Sequence, residues 1–381
     1  MFRWVSELLA LPPHDVLLIA PPQGRRARAF QATLQEIGWP PARTISYLDV
    51  LEGRAHLAEL VRPGSIVRFD SPGEDAATER ELIRRGSADV ERADVDLDAG
   101  ELAPTDAWFT GLTQVLHELD AQLSQAAPHR RMQHTDHLLT MFDKPATHAR
   151  LLAAGVAVPP ALPNVTSGEA LVRAAREHGW SRVFVKLAHG SSASGAIALE
   201  WSGERVQAMT TVRREGGRLF NSRRLLRLTS WPEVLGLIDA LAPQGLHVER
   251  WLPKASAPDS AGTMRAMDMR VVVTGGRAEH ALLRLGRGPI TNLHLGNERG
   301  DVTALRTELG ERWQTIQQTC TDALAAFPGA LYGGVDLLLT PDFRRQAVLE
   351  VNAFGDYHRG VLARGRDTYA AELAALLERG E

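Results

Sequence analysis

The chain has 381 residues, a net charge of −3, 44% hydrophobic and 23% charged side chains and one cysteine, the balance of a globular protein of two or three domains at roughly 100–200 residues each. So small a charge makes no electrostatic case for nucleic acid or a membrane surface. No apolar run approaches the ~20 residues that span a bilayer, a lone cysteine excludes a disulfide framework within the chain, and Met1–Asp15 lacks the long apolar core and small-residue cleavage site of a signal peptide, so a cytoplasmic location is expected.

His14–Ala20 reads as a buried strand ending in a Pro-Pro-Gln-Gly loop, followed by a helix from Arg25 to Ile37 that Gly38 closes. Strand, loop and helix form the unit of a parallel α/β sheet, whose ligands collect at the carboxyl ends of strands. A second unit runs from Ile66–Asp70 through Ser-Pro-Gly-Glu-Asp into a helix over Ala76–Arg85. It sets Arg68, Asp70, Ser71 and Glu74 at a strand end, the first three as candidate substrate contacts, with helix capping as the plainer role for the acids. Asp-rich Ala88–Gly100 predicts an exposed connector, and Thr105–Gln125 a helix closing a first domain of residues 1–130.

Near residue 128 the composition turns rich in His and Arg. In FDKPATHARLLAAG, Asp143 suits an N-cap, Pro145 the first turn, Ala146–Ala154 a short helix and Gly155 its end. Lys144 stands where the helix dipole disfavours a cation unless an anion is near; a solvated side chain is the alternative. After a helix over Thr166–His178 comes a strand, Arg182–Leu187, with Phe184 and Lys186 on one face, then the small-residue loop AHGSSASG. Its residues His189, Gly190, Ser191, Ser192, Ser194 and Gly195 can offer backbone N–H groups to a phosphate without blocking it. A ligand-free hairpin connection is the alternative, and the lysine just before the loop favours phosphate.

Trp201–Leu228 predicts short strands around a Gly216-Gly217 turn with a basic Arg223-Arg224 segment, and Trp231–Leu241 a helix. The strand Gly245–Leu252 stops at Pro253; Glu249 and Trp251 share a face, where Glu249 suits an adenine amino group or, alternatively, a surface ion pair. Asp268–Val273 and Ala281–Leu285 bracket a Thr-Gly-Gly-Arg hairpin turn, with Asp268 and Arg270 on one face. The connector GRGPITNLHLGNERGD is long enough to be functional, and the helix Leu305–Ala326 carries Cys320 at packing spacing. Val335–Leu339 and Ala347–Val351 then form a hairpin that sets Asp336 opposite Glu350, with Asn352 on the face of Glu350. Two carboxylates and an amide oxygen suit Mg²⁺ carrying nucleotide phosphates; two solvent-facing edge acids are the alternative. Asp367–Arg379 finishes the chain.

From about Asp143 to Gly355, the order and spacing of these pieces resemble the ATP-grasp superfamily of carboxylate-amine ligases. The resemblance implies an α/β (α+β) fold: an N-terminal parallel α/β substrate-recognition domain, 1–130, then a two-part ATP-grasp unit, 131–245 with the glycine loop and 246–381 with the magnesium hairpin, holding the nucleotide between two antiparallel sheets. It implies ATP and Mg²⁺ as cofactors, with Lys144, Lys186 and the 189–195 loop on the phosphates, Glu249 on the adenine amino group, and Arg250, Trp251 and Leu252 along the base. Asp336, Glu350 and Asn352 would be the metal ligands; Arg270 would touch the γ-phosphate or acyl phosphate, and Arg284 and Asn292 the substrate.

The chain also departs from the family pattern. Lys254 stands near the place of an acid that often holds the ribose, and NLHLGNERG replaces a glycine-rich substrate loop. Candidate substrate residues are therefore His294, Asn297, Asp356, His358 and Arg223 beside Arg68, Asp70 and Ser71. The implied partners are a carboxylate and an amine (or thiol), small molecule or peptide; a homodimer is an option that the residues leave open. There is no Walker motif and no His-Glu-x-x-His pair. A kinase or carboxylase on the same scaffold, or a nucleotide-binding regulator without turnover, are the rival readings.

Overall fold

The computed structural model describes residues 14–88, 97–98, 100–355 and 357–379. Its first layer is the expected parallel sheet, with β1 (Val16–Ile19), β2 (Arg43–Ile45), β3 (Ser65–Phe69) and β4 (His129–Arg131) in the order β2-β1-β3-β4. β1 and β3 are buried throughout because helices cover both faces. Leu17, Ile19, Val67 and Phe69 pack on the helices Tyr47–Leu51, Ala76–Gly86 and Thr105–Ser124. The last two helices cross through glycines: a Cβ on Gly86 would lie 2.0 Å from Ala107 O, and one on Gly111 1.9 Å from Leu82 O. Val16, Leu18 and Ile66 pack the other way, on the helix Arg25–Glu36 and on the C-terminal helix Thr368–Glu378. The last helix of the chain thus completes the first layer.

The second sheet is antiparallel, built from β5 (Ala161–Leu162), β6 (Arg182–Leu187), β7 (Ile197–Ser202), β8 (Arg205–Glu215), β9 (Arg218–Leu228) and β10 (Leu246–Arg250), in the order β5-β10-β6-β7-β8-β9. β10 inserts between β5 and β6, so a division at 245/246 would separate it from the sheet it belongs to. The third sheet has β11 (Ser256–Pro258), β12 (Met264–Thr274), β13 (Arg277–Gly286), β14 (Glu298–Gly300), β15 (Tyr332–Leu339) and β16 (Gln346–Asn352), ordered β14-β13-β12-β15-β16 with β11 beside β12. The helix Arg312–Ala325 backs it with Trp313, Ile316 and fully buried Cys320. The single helix expected over Leu305–Ala326 is two, Val302–Leu309 and Arg312–Ala325, because Gly310 turns at φ +52° between them.

Candidate active site

A slot runs between the second and third sheets, lined by Phe184, Lys186, Glu249, Arg250 and Leu252 from one and by Asp268, Arg284, Asp336 and Leu338 from the other. The register of β6 and β10 sets His247 opposite Lys186 and Glu249 opposite Phe184. Across that diagonal, Lys186 Nζ lies 2.6 Å from Glu249 Oε2, and His247 Nε2 2.9 Å from Glu249 Oε1. Burial works to raise the Glu249 pKa, but the Lys186 ammonium and His247 hold it down at about 2. Burial also lowers the His247 pKa, against the pull of the Glu249 carboxylate.

Lys144 opens the helix Lys144–Ala153 that Asp143 caps through Ala146 N at 2.9 Å. Its backbone N–H donates to Ala188 O at 3.1 Å and its ammonium donates to Gly190 O, so the same residue holds the start of the glycine loop through both main chain and side chain. Burial lowers the Lys144 pKa. Within the loop Ser192, Ala193 and Gly195 turn at φ +53°, +61° and +71°. A Cβ on Gly195 would meet Leu187 Cδ1 at 2.6 Å, so glycine lets the loop lie on the strand before it.

The third sheet carries a row of alternating charge. Strand register pairs Asp336 with Glu350, Arg270 with Asp336, and Asp268 with Arg284. Lys254 Nζ is 2.9 Å from Asp268 Oδ2, Asp268 Oδ1 accepts from Arg284 Nε at 2.7 Å, and Arg284 Nη2 donates to Asp336 Oδ2 at 2.9 Å. Asp336 Oδ1 then accepts from Arg270 Nε at 2.6 Å, and Arg270 Nη2 donates to Glu350 Oε1 at 3.3 Å. Burying any one of these charges alone would be costly; as neighbours of opposite sign they compensate one another. Burial raises the Asp336 pKa, but Arg270 and Arg284 outweigh it and hold the carboxyl far below the usual range.

The hairpin residues fit a magnesium ion. Asn352 donates its amide N–H to Gly334 O at 3.0 Å, which leaves its oxygen as the acceptor on a wall it helps to form. Among the described residues no three acidic, His or Cys side chains could hold a metal, but Mg²⁺ needs only one or two carboxylates when phosphate and water complete its shell.

Next to the slot is a chamber of about 950 Å³. Lys144, Gly190, Ser192, Arg284, Asn292 and Glu350 line both cavities, and Ser194 the slot. On the chamber wall stand Arg270, Asn352, Ser191, Asp70, Ser71, His294 and His358. Asp70 Oδ1 accepts from Ser71 N at 2.8 Å and from Arg26 Nη1 at 3.3 Å, so the first domain does reach the site.

Other expected contacts lie elsewhere. Arg68 is fully buried within β3, where its guanidinium is 2.5 Å from Glu372 and sits against the rings of Phe30, Tyr369 and Tyr332; Asp70, two residues further along and past the strand's end, is the one that reaches the chamber. Arg223 is exposed on the edge strand β9 and lines neither cavity. Asn297 donates to Ile290 O and Asn292 O, both at 2.9 Å, and accepts from Arg287 N at 3.1 Å, so it braces the connector from within. His189 stacks on Phe109 at 3.9 Å, and the Trp251 ring covers the Arg182 guanidinium at 4.1 Å. Neither side chain lines the slot or the chamber, and nor does Gly195. Asp356 lies outside the described residues. Lys254, Arg26, His247 and Arg299 line cavities without having been singled out as site residues; only Lys254 was signalled, as a departure from a family pattern.

Two antiparallel sheets closing on a slot, with a parallel α/β layer at its mouth, define the class: the chain has the ATP-grasp fold. No family model matches the chain, and no curated protein matches it in sequence. Among solved structures it is similar to D-cycloserine synthetase DcsG (TM-score 0.57, 15% identity, 96% of this chain and 100% of that one). It is also similar to the ADP complex of PurK, N5-carboxyaminoimidazole ribonucleotide synthetase (TM-score 0.58, 15% identity, 96% and 77%). A third is the ATP-grasp ligase PsnB complexed with a phosphomimetic variant of its minimal precursor, Mg and ADP (TM-score 0.53, 16% identity, 97% and 100%).

Proposed function

We propose that the protein is an ATP-dependent carboxylate-amine ligase that uses Mg²⁺ and works through an acyl phosphate. The observation that carries this reading is the shared wall: the groups suited to a triphosphate, Lys144, Gly190, Arg284 and Glu350, face the slot and the chamber at once. A phosphoryl group in the slot would therefore meet a substrate in the chamber.

In the slot, Glu249 accepts from the adenine amino group and Lys186 and Lys144 hold phosphate oxygens. A carboxylate oxygen of the substrate attacks the γ-phosphorus, the bond to the bridging oxygen breaks, and ADP leaves. The amine nitrogen then attacks the acyl carbon, phosphate departs with the C–O bonding pair, and the nitrogen loses a proton. This chemistry asks for positioning and charge neutralisation more than for a nucleophilic side chain. Arg284, anchored through Nε on Asp268 and through Nη2 on Asp336, presents the donors those two bonds leave to the transferring group. Asp336, Glu350 and Asn352 would hold Mg²⁺, which supplies charge neutralisation for the phosphates.

PsnB and MdnC were solved with precursors, MdnC with its precursor peptide, whereas DcsG and PurK are named for small-molecule synthesis. A chamber of about 950 Å³ has room for a small molecule or a peptide side chain. Reliance on ATP fits a cytoplasmic protein. The test is ADP release from Mg-ATP across a panel of carboxylic acids, with hydroxylamine as a general amine that traps acyl phosphate as hydroxamate. Acid-dependent ADP and hydroxamate are expected; tight Mg-ATP binding with neither product would favour the regulator instead.

A further inference from the structure

The ligase reading leaves one strong feature of the chamber without a role. Strand register puts Arg299 of β14 directly opposite Arg284 of β13, a position where Cβ atoms lie about 4.5–5.5 Å apart and like charges repel. Arg284 is compensated by Asp268 and Asp336. Arg299 is not: its contact is to a neutral carbonyl, Arg359 O, at 2.8 Å, and no carboxylate partners Arg299 or Arg359 among the described residues. The neighbouring acid, Glu298, is taken by Ser260 and Arg287. Both arginines stand on the chamber wall. In a chain of net charge −3, that wall carries more cationic side chains than carboxylates.

We propose that Arg299, with Arg359 beside it, binds a second anionic group of the substrate, so that the acid activated here carries a carboxylate or phosphate besides the carboxylate that reacts. The proposal rests on the ligase reading for what happens at the first carboxylate. A cross-strand pair of guanidiniums facing a cavity is relieved by an anion between them, and Arg offers such a group paired donors. Triphosphate in the slot can engage Arg284 but leaves Arg299 and Arg359, which line the chamber alone. The reacting carboxylate belongs at the shared wall and the second anion at the β14 side. This makes Arg299 a specificity-determining residue.

The test is calorimetric binding of glutarate, 3-phosphonopropionate and butyrate to the full chain with Mg²⁺ and a non-hydrolysable ATP analogue, so that no turnover is needed. The wild type should bind at least one of the two dianions about tenfold or more tighter than butyrate, the scale of one charge-assisted hydrogen bond. The tighter of the two identifies carboxylate or phosphate as the second group. Arg299→Gln should abolish the preference and Arg299→Lys restore part of it, with unfolding midpoints confirming that each variant is folded. Equal binding of all three acids by the wild type, absence of binding, or a preference that survives Arg299→Gln would overturn the proposal. The hydroxamate assay reads the ligase reading separately: a dianion preference without hydroxamate from any acid would sink that reading and leave the anion site standing.

Discussion

Arg68 on β3 and Arg270 on β12 each meet a carboxylate, at 2.5 Å and 2.6 Å, and the two surroundings could hardly differ more. Arg68 and Glu372 are sealed among Phe30, Tyr332 and Tyr369, where they tie the C-terminal helix to the first sheet. Arg270 belongs to a row of charges that opens onto a chamber, and its partners Asp336 and Glu350 both line the slot beside it. The same chemistry serves as a fastening where no ligand can reach and as a reservoir of donors where one can. Access decides the role, and the groups that pack over each side chain decide access.

This contrast can be pressed experimentally. Arg68→Leu should have the largest effect on stability, about 3–5 kcal/mol, because it strands one partner of a buried pair. Denaturant unfolding would measure it, and adding Glu372→Leu should recover much of the loss. If Arg68→Leu instead left stability unchanged and removed substrate-dependent ADP release, the fastening role would be wrong. Glu350→Gln should do the reverse, lowering ADP release by about 10²–10³-fold while leaving the unfolding midpoint nearly in place; a stable, fully active variant would remove the hairpin from the site.

The two regions should also answer pH with opposite sign. The Lys186 ammonium and His247 hold the Glu249 carboxyl down at about 2, below its ordinary 4.5, so its contribution to stability is present above pH 4.5 and is lost as pH falls toward 2. Burial pushes Glu372 up to about 7 despite the Arg68 guanidinium. Its contribution is therefore complete below pH 4.5 and is lost as pH rises through 7. Unfolding free energies measured across that range should show the upper slope flatten in Glu372→Gln and the lower one in Glu249→Gln; unchanged slopes would refute the assignments. The smallest effect is expected at Arg223→Ala, within about 0.5 kcal/mol in stability and without consequence for substrate use, since the side chain is exposed and faces neither cavity.

Much of the slot was legible in the residues. The Asp336–Glu350 pairing and the Lys186 strand with its glycine loop were expected and are found, although the turn, which pairs Leu339 with Gln346 and Leu337 with Val348, would alone set Asp336 opposite Leu349, and a bulge between Asp336 and Leu337 brings Glu350 there instead. The Asp143 cap was equally local. Arg68 was expected at a strand end beside Asp70, but it lies inside β3, sealed by Glu372 and by rings that come from distant parts of the chain. Asn297 was read as a ligand contact because an amide in a long connector satisfies internal carbonyls as readily as external ones.

Periodicity and turn chemistry act over about ten residues, and within that reach they were enough to specify the strands, the cap, the glycine loop and the hairpin that carries the carboxylates, though not the bulge that pairs them. The insertion of β10 between β5 and β6, the return of the last helix to the first sheet and the meeting of Arg284 with Arg299 depend on surfaces that complement one another across long stretches of chain. Those pairings follow from which apolar faces must be buried together and which charges must be compensated once they are, and neither condition exists until the layers have packed.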